Sequence, residues 1–326
     1  MIHSYNLSPV LRELLEMTES MLGIEIQLVR RTDVPPQGLL IDEFTYGTGK
    51  NVIAFSSALL GTLKDYTICR NCIELLARGC AARRGNHKVL SFSKESALEG
   101  CRQIYLDILK DEGTRNLPVW QKKQLVFLLF MLLHEVFSEM PLKLLADLVI
   151  SHRFSLLRNA QVYSLLKESM RDMHDLVPVK DFLPQRYYVV HNAVYYARDM
   201  VLAYTLSEYK LNPVINIPEL QRFKNLDMKE MMTHRWSRSP WYHTKVVGDA
   251  LSNMLKRTIE MDFSREFSMD YFYDLYVLST EIPARWWVMM GMQDWFLWDS
   301  PEARREVLAS QAAIEKFVRE EIFGPD

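Results

Sequence analysis

The sequence lacks a large charge excess, a long hydrophobic run and an export pattern. Lys and Arg number 39 against 41 Asp and Glu, which gives a net charge of −2. This balance lacks the basic surplus of many nucleic-acid-binding domains, although a local patch can still bind an anion. The most apolar run, residues 125–133, is about half of the roughly 20 residues that a membrane-spanning helix needs. The sequence therefore predicts a cytoplasmic protein without membrane insertion, whose first residues form a helix and not a signal peptide.

Motifs of several enzyme classes are also missing. Residues 47–50 resemble part of a phosphate-binding P-loop, but Phe44 stands where the first glycine belongs and Asn51 replaces the Ser or Thr. The sequence contains no G-x-S-x-G nucleophile elbow and no G-x-G-x-x-G after a strand. His134 begins a zinc motif of the H-E-x-x-H type, but Ser138 occupies the position of the second His. We therefore predict no catalytic residue and no cofactor, and we expect His134 to be a core or boundary histidine.

The spacing of hydrophobic residues predicts an α+β fold in two parts. In residues 1–115, helices at 8–23, 57–84 and 94–110 alternate with short strands, and residues 47–50 form a turn between two of these strands. In residues 116–326 almost no strand signal remains, and prolines separate most of the predicted helices. Those helices are expected at 118–139, 141–173, 184–209, 217–232, 240–261, 268–280, 282–298 and 301–322. The small mixed part and the large helical part can share one core.

The four cysteines lie within 33 residues of one another, at Cys69, Cys72, Cys80 and Cys101. In an unexported chain they are expected to be thiols. One continuous helix would place Cys80 about 16 Å from Cys69, too far for one metal ion to bind both. We therefore predict buried thiols in the core and no metal site. The alternative is a metal or cluster site, which would need a break in the helix at Gly79.

The first third of the chain resembles, over residues 8–110, the core of zincin-type metallopeptidases. The resemblance lies in the order helix, strands, helix and in the sequence Ile73-Glu74-Leu75-Leu76-Ala77 on the second helix. Only Glu74 matches the family motif, because Ile73 and Ala77 stand at the positions of the zinc ligands and cannot bind zinc. The resemblance therefore implies a degenerate metallopeptidase-like core without its metal site, in which apolar side chains fill the zinc position.

Residues 234–245 combine cations with aromatic rings and contain no acidic residue. Such a cluster can contact phosphates and stack against rings or bases. The candidate ligand-binding residues are Arg235, Arg238, Trp236, Trp241, His243 and Lys245. The alternative is a loop between helices whose tryptophans anchor it and whose cations pair with other acidic residues or with water.

The predicted helix at 184–209 carries a stripe of polar residues on an otherwise apolar surface. The stripe consists of His191, Tyr195, Arg198 and Asp199. A buried network of this kind either fixes the register of the helix or lines a pocket. Arg198 then needs a carboxylate on a neighbouring helix, for which Glu281 is the candidate.

Three functional hypotheses remain open. The first is a non-catalytic or catalytically degenerate intracellular protein. The second is a protein that binds an anionic ligand, nucleic acid or an acidic protein partner through residues 234–245. The third is a metal- or cluster-binding protein that uses the four cysteines.

Overall fold

The computed structural model describes residues 5–207, 229, 233, 236 and 242–325, with the backbone alone at residues 170 and 172–175. The fold is α+β and mostly helical, which confirms the predicted class. The strands are β1 (Ile26–Arg31), β2 (Leu39–Ile41), β3 (Asn51–Ser56), β4 (Val89–Ser91) and β5 (Leu297–Asp299). The helices are α1 (Pro9–Leu22), α2 (Glu43–Tyr46), α3 (Gly61–Arg83), α4 (Lys94–Lys110), α5 (Val119–Arg153), α6 (Arg158–Asp175), α7 (Gln185–Thr205), α8 (Tyr242–Thr258), α9 (Met269–Met290), α10 (Pro301–Ala309) and α11 (Gln311–Phe323).

Two small sheets connect distant parts of the chain. In the first, β1 pairs parallel with β3 and β2 pairs antiparallel with β3, so that the order is β1-β3-β2. The pairing of β2 with β3 agrees with the expected turn between them, although the short helix α2 lies in the connection. In the second sheet, Leu90 of β4 lies opposite Trp298 of β5. This ladder joins the mixed first part of the chain to its C-terminal region.

Helix α3 is the central element of the fold. It packs against α1, β3, α5, α6 and α9, and it is buried over almost all of its surface. A helix that is covered on all sides normally carries apolar residues all round. Helix α3 departs from this pattern because it also buries Arg70 and Glu74. These charged residues must therefore find partners inside the protein.

Helix α5 continues through Pro141, where the sequence predicted a break between two helices. A proline inside a helix removes one hydrogen bond and costs about 3 kcal/mol. Apolar residues on both sides of it, such as Phe137 and Leu145, are fully buried and offset this cost. Helix α5 is long and apolar enough to cross a membrane, but 67% of its most apolar window is buried, as in the core helix of a soluble protein.

The C-terminal region differs from the prediction in three further places, one of which is that the expected helix at 301–322 is divided at Ser310 into α10 and α11. Helix α9 continues through Pro283, and the expected helix at 282–298 ends at Met290. Gly291, in the left-handed conformation at φ 68°, ends it. The residues after it form strand β5, which the sequence did not predict because three residues carry no periodic signal. The predicted helix 217–232 lies outside the described residues.

The contact between α7 and α8 depends on the absence of a side chain at Gly248. A Cβ atom at this position would lie 2.3 Å from Cδ1 of Tyr196. The Tyr196 ring cannot easily move away, because its hydroxyl donates a hydrogen bond to Asp249 at 2.6 Å and its ring lies edge-on against Trp236.

We expect Gly248→Ala to lower the free energy of unfolding by about 1–3 kcal/mol, the usual cost of overpacking a core. The measurement is urea denaturation, with Asn253→Ala, an exposed position on the same helix, as the control. An alanine at position 248 that stabilises the protein, as an unhindered Gly-to-Ala change in a helix does, would contradict the close contact.

Candidate functional site

Two adjoining cavities of about 310 and 430 Å³, each partly open to solvent, form one cleft between the helices. The first cavity lies among β2, α3, α5, α9 and α10, and the second lies among α3, α5, α6 and α7. The residues that line both cavities are Gln37, Arg70, Glu135, Glu139 and Lys143. We call the two cavities together the charged cleft.

Helix α3 supplies one wall of the charged cleft. Arg70, Glu74 and Arg78 are spaced four residues apart and therefore lie on one face of the helix. Helix α5 supplies the opposite wall, where Glu135 and Glu139 share the same spacing. In each wall, the spacing of four residues therefore places the charged side chains on the same face of their helix.

A chain of buried polar contacts lies beneath the second cavity. The hydroxyl of Tyr66 donates to Asp147 at 2.6 Å, and Arg70 approaches both Asp147, at 3.0 Å, and Glu168, at 2.8 Å. Glu168 also lies 3.6 Å from Arg198. The network thereby connects α3, α5, α6 and α7, and its acidic members offset the cost of burying two guanidinium groups.

The network continues along α7 to Trp236. Arg198 donates to Asp199 at 2.7 Å, and the indole Nε1 of Trp236 donates to the other oxygen of Asp199 at 3.3 Å. Burial opposes the ionisation of Glu168, but Arg70 and Arg198 outweigh this effect and lower the pKa of that carboxyl group. Glu168 therefore carries its charge between the two arginines at neutral pH.

At the other end of the cleft, Arg78 is held by two carboxylates. It donates to Asp42 at 2.8 Å and lies 3.4 Å from Glu74. Asp42 is fully buried and also accepts a hydrogen bond from the backbone of Thr45, with which it caps α2. The guanidinium of Arg78 is therefore fixed where α2 and α3 meet.

His87 and Arg304 line the first cavity with buried nitrogens that have no hydrogen bond among the described residues. Both ring nitrogens of His87 are buried without a hydrogen bond of normal geometry, and its ring lies edge-on to Tyr276. Arg304 is half-buried on α10, and its side chain forms no hydrogen bond or ion pair with any described residue. Burial lowers the pKa of His87 to about 4 and, together with Arg78, lowers the pKa of Arg304. His87 is therefore neutral at pH 7, whereas Arg304 is a cation that forms no ion pair with a described residue, although the charge of Glu139 raises its pKa in part.

The charged side chains of the cleft are mainly basic. Five basic residues and three acidic residues line the first cavity. The basic residues are Arg70, Arg78, Lys88, Lys143 and Arg304, and the acidic residues are Glu74, Glu135 and Glu139. This local surplus contrasts with the net charge of −2 of the whole chain. A cavity of this kind favours an anion.

The second cavity has a more mixed lining. Arg70, Lys143, Arg171 and Arg198 face Glu135, Glu139 and Glu168, and four apolar residues accompany them. The apolar residues are Leu132, Val136, Met140 and Leu176. His191 and the half-buried Tyr195 complete the wall.

The structure places the predicted polar stripe of α7 partly in the network and partly in the second cavity. His191, Arg198 and Asp199 are buried, and His191, Tyr195 and Arg198 line the cavity. The stripe therefore lies partly in a buried network and partly in a cavity wall, and its role in fixing the register of α7 stays a prediction. The expected pairing of Arg198 with Glu281 is wrong, because Arg198 pairs with Glu168 and Asp199, whereas Glu281 lies beside Arg285 at the surface.

The predicted segment 234–245 is only partly described. Arg235, Arg238 and Trp241 lie outside the described residues. Trp236 is fully buried on Asp199 and Tyr196, which fits the alternative of an anchoring tryptophan. Lys245 pairs with Asp249 at 2.6 Å, and His243 is exposed beside Tyr242. None of these described residues lines the charged cleft.

The other sequence candidates lie in or near the core. Cys69, Cys72, Cys80 and Cys101 are fully buried in the hydrophobic cluster, as expected for core thiols. The described residues contain no group of three or more His, Cys, Asp or Glu side chains that could hold a metal ion. Ile73 and Ala77 are also fully buried, while Glu74 lines the first cavity.

His134 is a core histidine, as predicted. It is buried among Phe92 and Phe296, with Nε2 at 3.2 Å from the backbone oxygen of Leu90. Burial and the charge of Arg304 lower the pKa of His134 to about 4. The imidazole is therefore neutral in the folded protein at pH 7.

Sequence reasoning missed His87, Arg304 and the two network acids, Asp147 and Glu168. Each of the four is isolated in the sequence from the residues that it contacts or faces. One available signal was the spacing of Arg70, Glu74 and Arg78, which marks a charged face on an otherwise apolar helix. No pattern in the sequence indicates that Arg304 faces the same space.

We expect Arg198→Ala to lower the free energy of unfolding by about 3–5 kcal/mol, because it leaves Glu168 and Asp199 buried with less compensation. The control is Arg102→Ala, a half-exposed arginine 3.9 Å from Glu321, which is expected to change stability by no more than about 0.5 kcal/mol. Equal denaturation midpoints of the two variants would show that the network does not stabilise the fold.

We also expect acid to destabilise the protein through His134. His134 binds a proton near pH 6.5 in the unfolded chain but only near pH 4 in the folded protein. Its contribution to the free energy of unfolding is therefore fully present above pH 6.5 and is lost as the pH falls towards 4. His134→Gln is expected to reduce the loss measured between about pH 7 and about pH 4.5 by roughly 2–3 kcal/mol. Urea denaturation across this range is the measurement, and His243→Gln, at an exposed histidine, is the control. A loss that is as large in His134→Gln as in the wild type would refute this assignment.

No family model, no curated protein and no solved structure matches this chain. A functional assignment therefore depends on the geometry of the charged cleft.

Proposed function

We propose that this protein binds a small anionic ligand in the charged cleft. The observation that carries the proposal is Arg304, a cation that faces the first cavity and forms no ion pair with a described residue. A half-buried charge without a partner is costly, and an anion from solution would offset that cost. His87, whose two ring nitrogens have no hydrogen bond of normal geometry among the described residues, lies in the same cavity and can donate one hydrogen bond to such a ligand.

The remaining cations of the first cavity support the same proposal. Arg78 is fixed by Asp42 and Glu74, and Arg70 is fixed by Asp147 and Glu168, so both guanidinium groups are held in place before a ligand arrives. Preorganised groups lose little freedom on binding. A volume of about 310 Å³ in the first cavity suits a small molecule.

The proposal concerns binding and assigns no catalytic residue. The resemblance to a degenerate zincin core stays a prediction. The buried positions of Ile73 and Ala77 are compatible with it, and Glu74 contacts Arg78. A cytoplasmic location is part of the proposal, because four free thiols fit a reducing compartment.

The sequence favoured residues 234–245 as the anion site, and this alternative stays a prediction since Arg235 and Arg238 lie outside the described residues. The charged cleft is the stronger candidate. Five cations line a cavity of about 310 Å³ and one of them, Arg304, forms no ion pair with a described residue, whereas Lys245 pairs with Asp249. A cavity of this volume favours a small molecule over nucleic acid.

Titration calorimetry with pyrophosphate, inorganic phosphate and citrate tests the proposal. At least one of these anions is expected to bind the wild type, with an affinity that falls as salt is added. Arg304→Gln is expected to weaken binding by about tenfold or more, because one charge-assisted hydrogen bond contributes roughly 1.5–3 kcal/mol.

Arg102→Gln is the matched control, since it removes the same charge from a position that does not line the cleft. It is expected to bind with the wild-type affinity. The proposal is wrong if none of the three anions binds, or if Arg304→Gln and Arg102→Gln bind them equally well.

A further inference from the structure

The two cavities of the charged cleft differ in what they offer a ligand. The first cavity contains Arg304, which has no described partner, whereas the guanidinium groups of the second cavity are largely committed to protein carboxylates. Arg70 pairs with Asp147 and Glu168, and Arg198 pairs with Glu168 and Asp199. An anionic group is therefore expected to be stabilised more by electrostatic attraction in the first cavity than in the second.

The second cavity contains an unusual histidine. His191 is 5% exposed and lines the cavity, and its Nδ1 is buried without a hydrogen-bond partner among the described residues. Burial lowers the pKa of His191 to about 4, so the imidazole is neutral at pH 7. A buried polar atom without a partner costs about 1–3 kcal/mol, which a hydrogen bond to a ligand would recover. A neutral imidazole suits an uncharged polar ligand group.

Next to His191, the cavity provides a surface for a planar ring. The ring of Tyr195 lies edge-on to His191 with 5.1 Å between the centroids, and the guanidinium of Arg198 lies 5.2 Å from the centre of the Tyr195 ring. The apolar side chains of Leu132, Val136, Met140 and Leu176 line the rest of this space. Aromatic rings and apolar side chains of this kind commonly hold a flat heterocycle.

The cavities adjoin, because five residues line both of them. One ligand can therefore occupy both, with its charged group beside Arg304 and a ring beside Tyr195. Volumes of about 310 and 430 Å³ lie in the range of small-molecule sites.

We propose that the ligand is a nucleoside monophosphate, with the phosphate in the first cavity and the base in the second cavity against Tyr195 and His191. This inference rests on the proposed anion binding and adds the class of the ligand. Phosphate is the anionic group, and the base supplies both the flat ring and the uncharged hydrogen-bonding edge that His191 can bind.

Titration calorimetry with AMP, GMP, CMP and UMP, and with ribose 5-phosphate as the ligand without a base, tests the proposal. At least one nucleotide is expected to bind the wild type about tenfold or more tightly than ribose 5-phosphate. His191→Phe keeps a ring but removes both nitrogens, and it is expected to reduce this advantage to less than about threefold while it leaves the affinity for ribose 5-phosphate unchanged. Arg304→Gln is expected to weaken nucleotide and sugar phosphate alike.

Tyr195→Leu provides a second variant at a half-buried position, in case His191→Phe does not fold, and it too is expected to lose the advantage of the base. His243→Phe, which changes an exposed histidine away from the cleft, is the control and is expected to retain the advantage of the base.

The inference is wrong if every nucleotide binds no more tightly than ribose 5-phosphate, or if His191→Phe and Tyr195→Leu both keep the wild-type advantage. That result leaves anion binding in place as long as binding of ribose 5-phosphate depends on Arg304. If none of the five ligands, nor pyrophosphate, binds, both proposals fail.

Discussion

The guanidinium of Arg70 lies where α3, α5 and α6 meet, between the carboxylates of Asp147 and Glu168. Arg70 and Asp147 are buried and the side chain of Glu168 is only 12% exposed, so each charge depends strongly on the other two. A buried ion pair of this kind adds little net stability over an apolar core, but the loss of one member is costly. The positions of the surrounding helices are thereby constrained, because a small shift of any one of them separates charges that are largely shielded from water. The shape of the cleft above the network therefore depends on these buried ion pairs.

The network also determines which cations of the cleft already pair with a protein carboxylate. Through Glu168 it occupies both Arg70 and Arg198, and Asp42 and Glu74 occupy Arg78. Arg304 forms no ion pair with a described residue, although the charge of Glu139 acts on it. Most guanidinium groups of the cleft thus pair with protein carboxylates, and the end of the cleft at α10 attracts anions more strongly than the end at α7.

The fold was predictable where local pattern decides it. Helix α4 has the predicted bounds, and α1 and α3 end within a few residues of theirs, because hydrophobic spacing and end residues act locally. Pro141 and Pro283 were misleading, since burial of the flanking residues overrides the preference of proline for helix ends. Strand β5 depends on its pairing with β4, and no local pattern in the sequence indicates such a pairing.

The candidate site was predictable only in part. Helical spacing marked the stripe on α7, but the partner of Arg198 depends on how α6 and α7 pack, which a single sequence does not reveal.

The ladder between β4 and β5 has a consequence for the order in which the walls of the first cavity form. His87 and Lys88 immediately precede β4, and Arg304 follows β5 by a few residues, so three residue pairs bring together groups more than 200 positions apart. During synthesis, α3 and α5 emerge and can begin to pack long before β5 exists. The first cavity stays open on one side until the C-terminal region has folded back. A ligand bound in this cavity would therefore stabilise the fold only once β5 and α10 are in place.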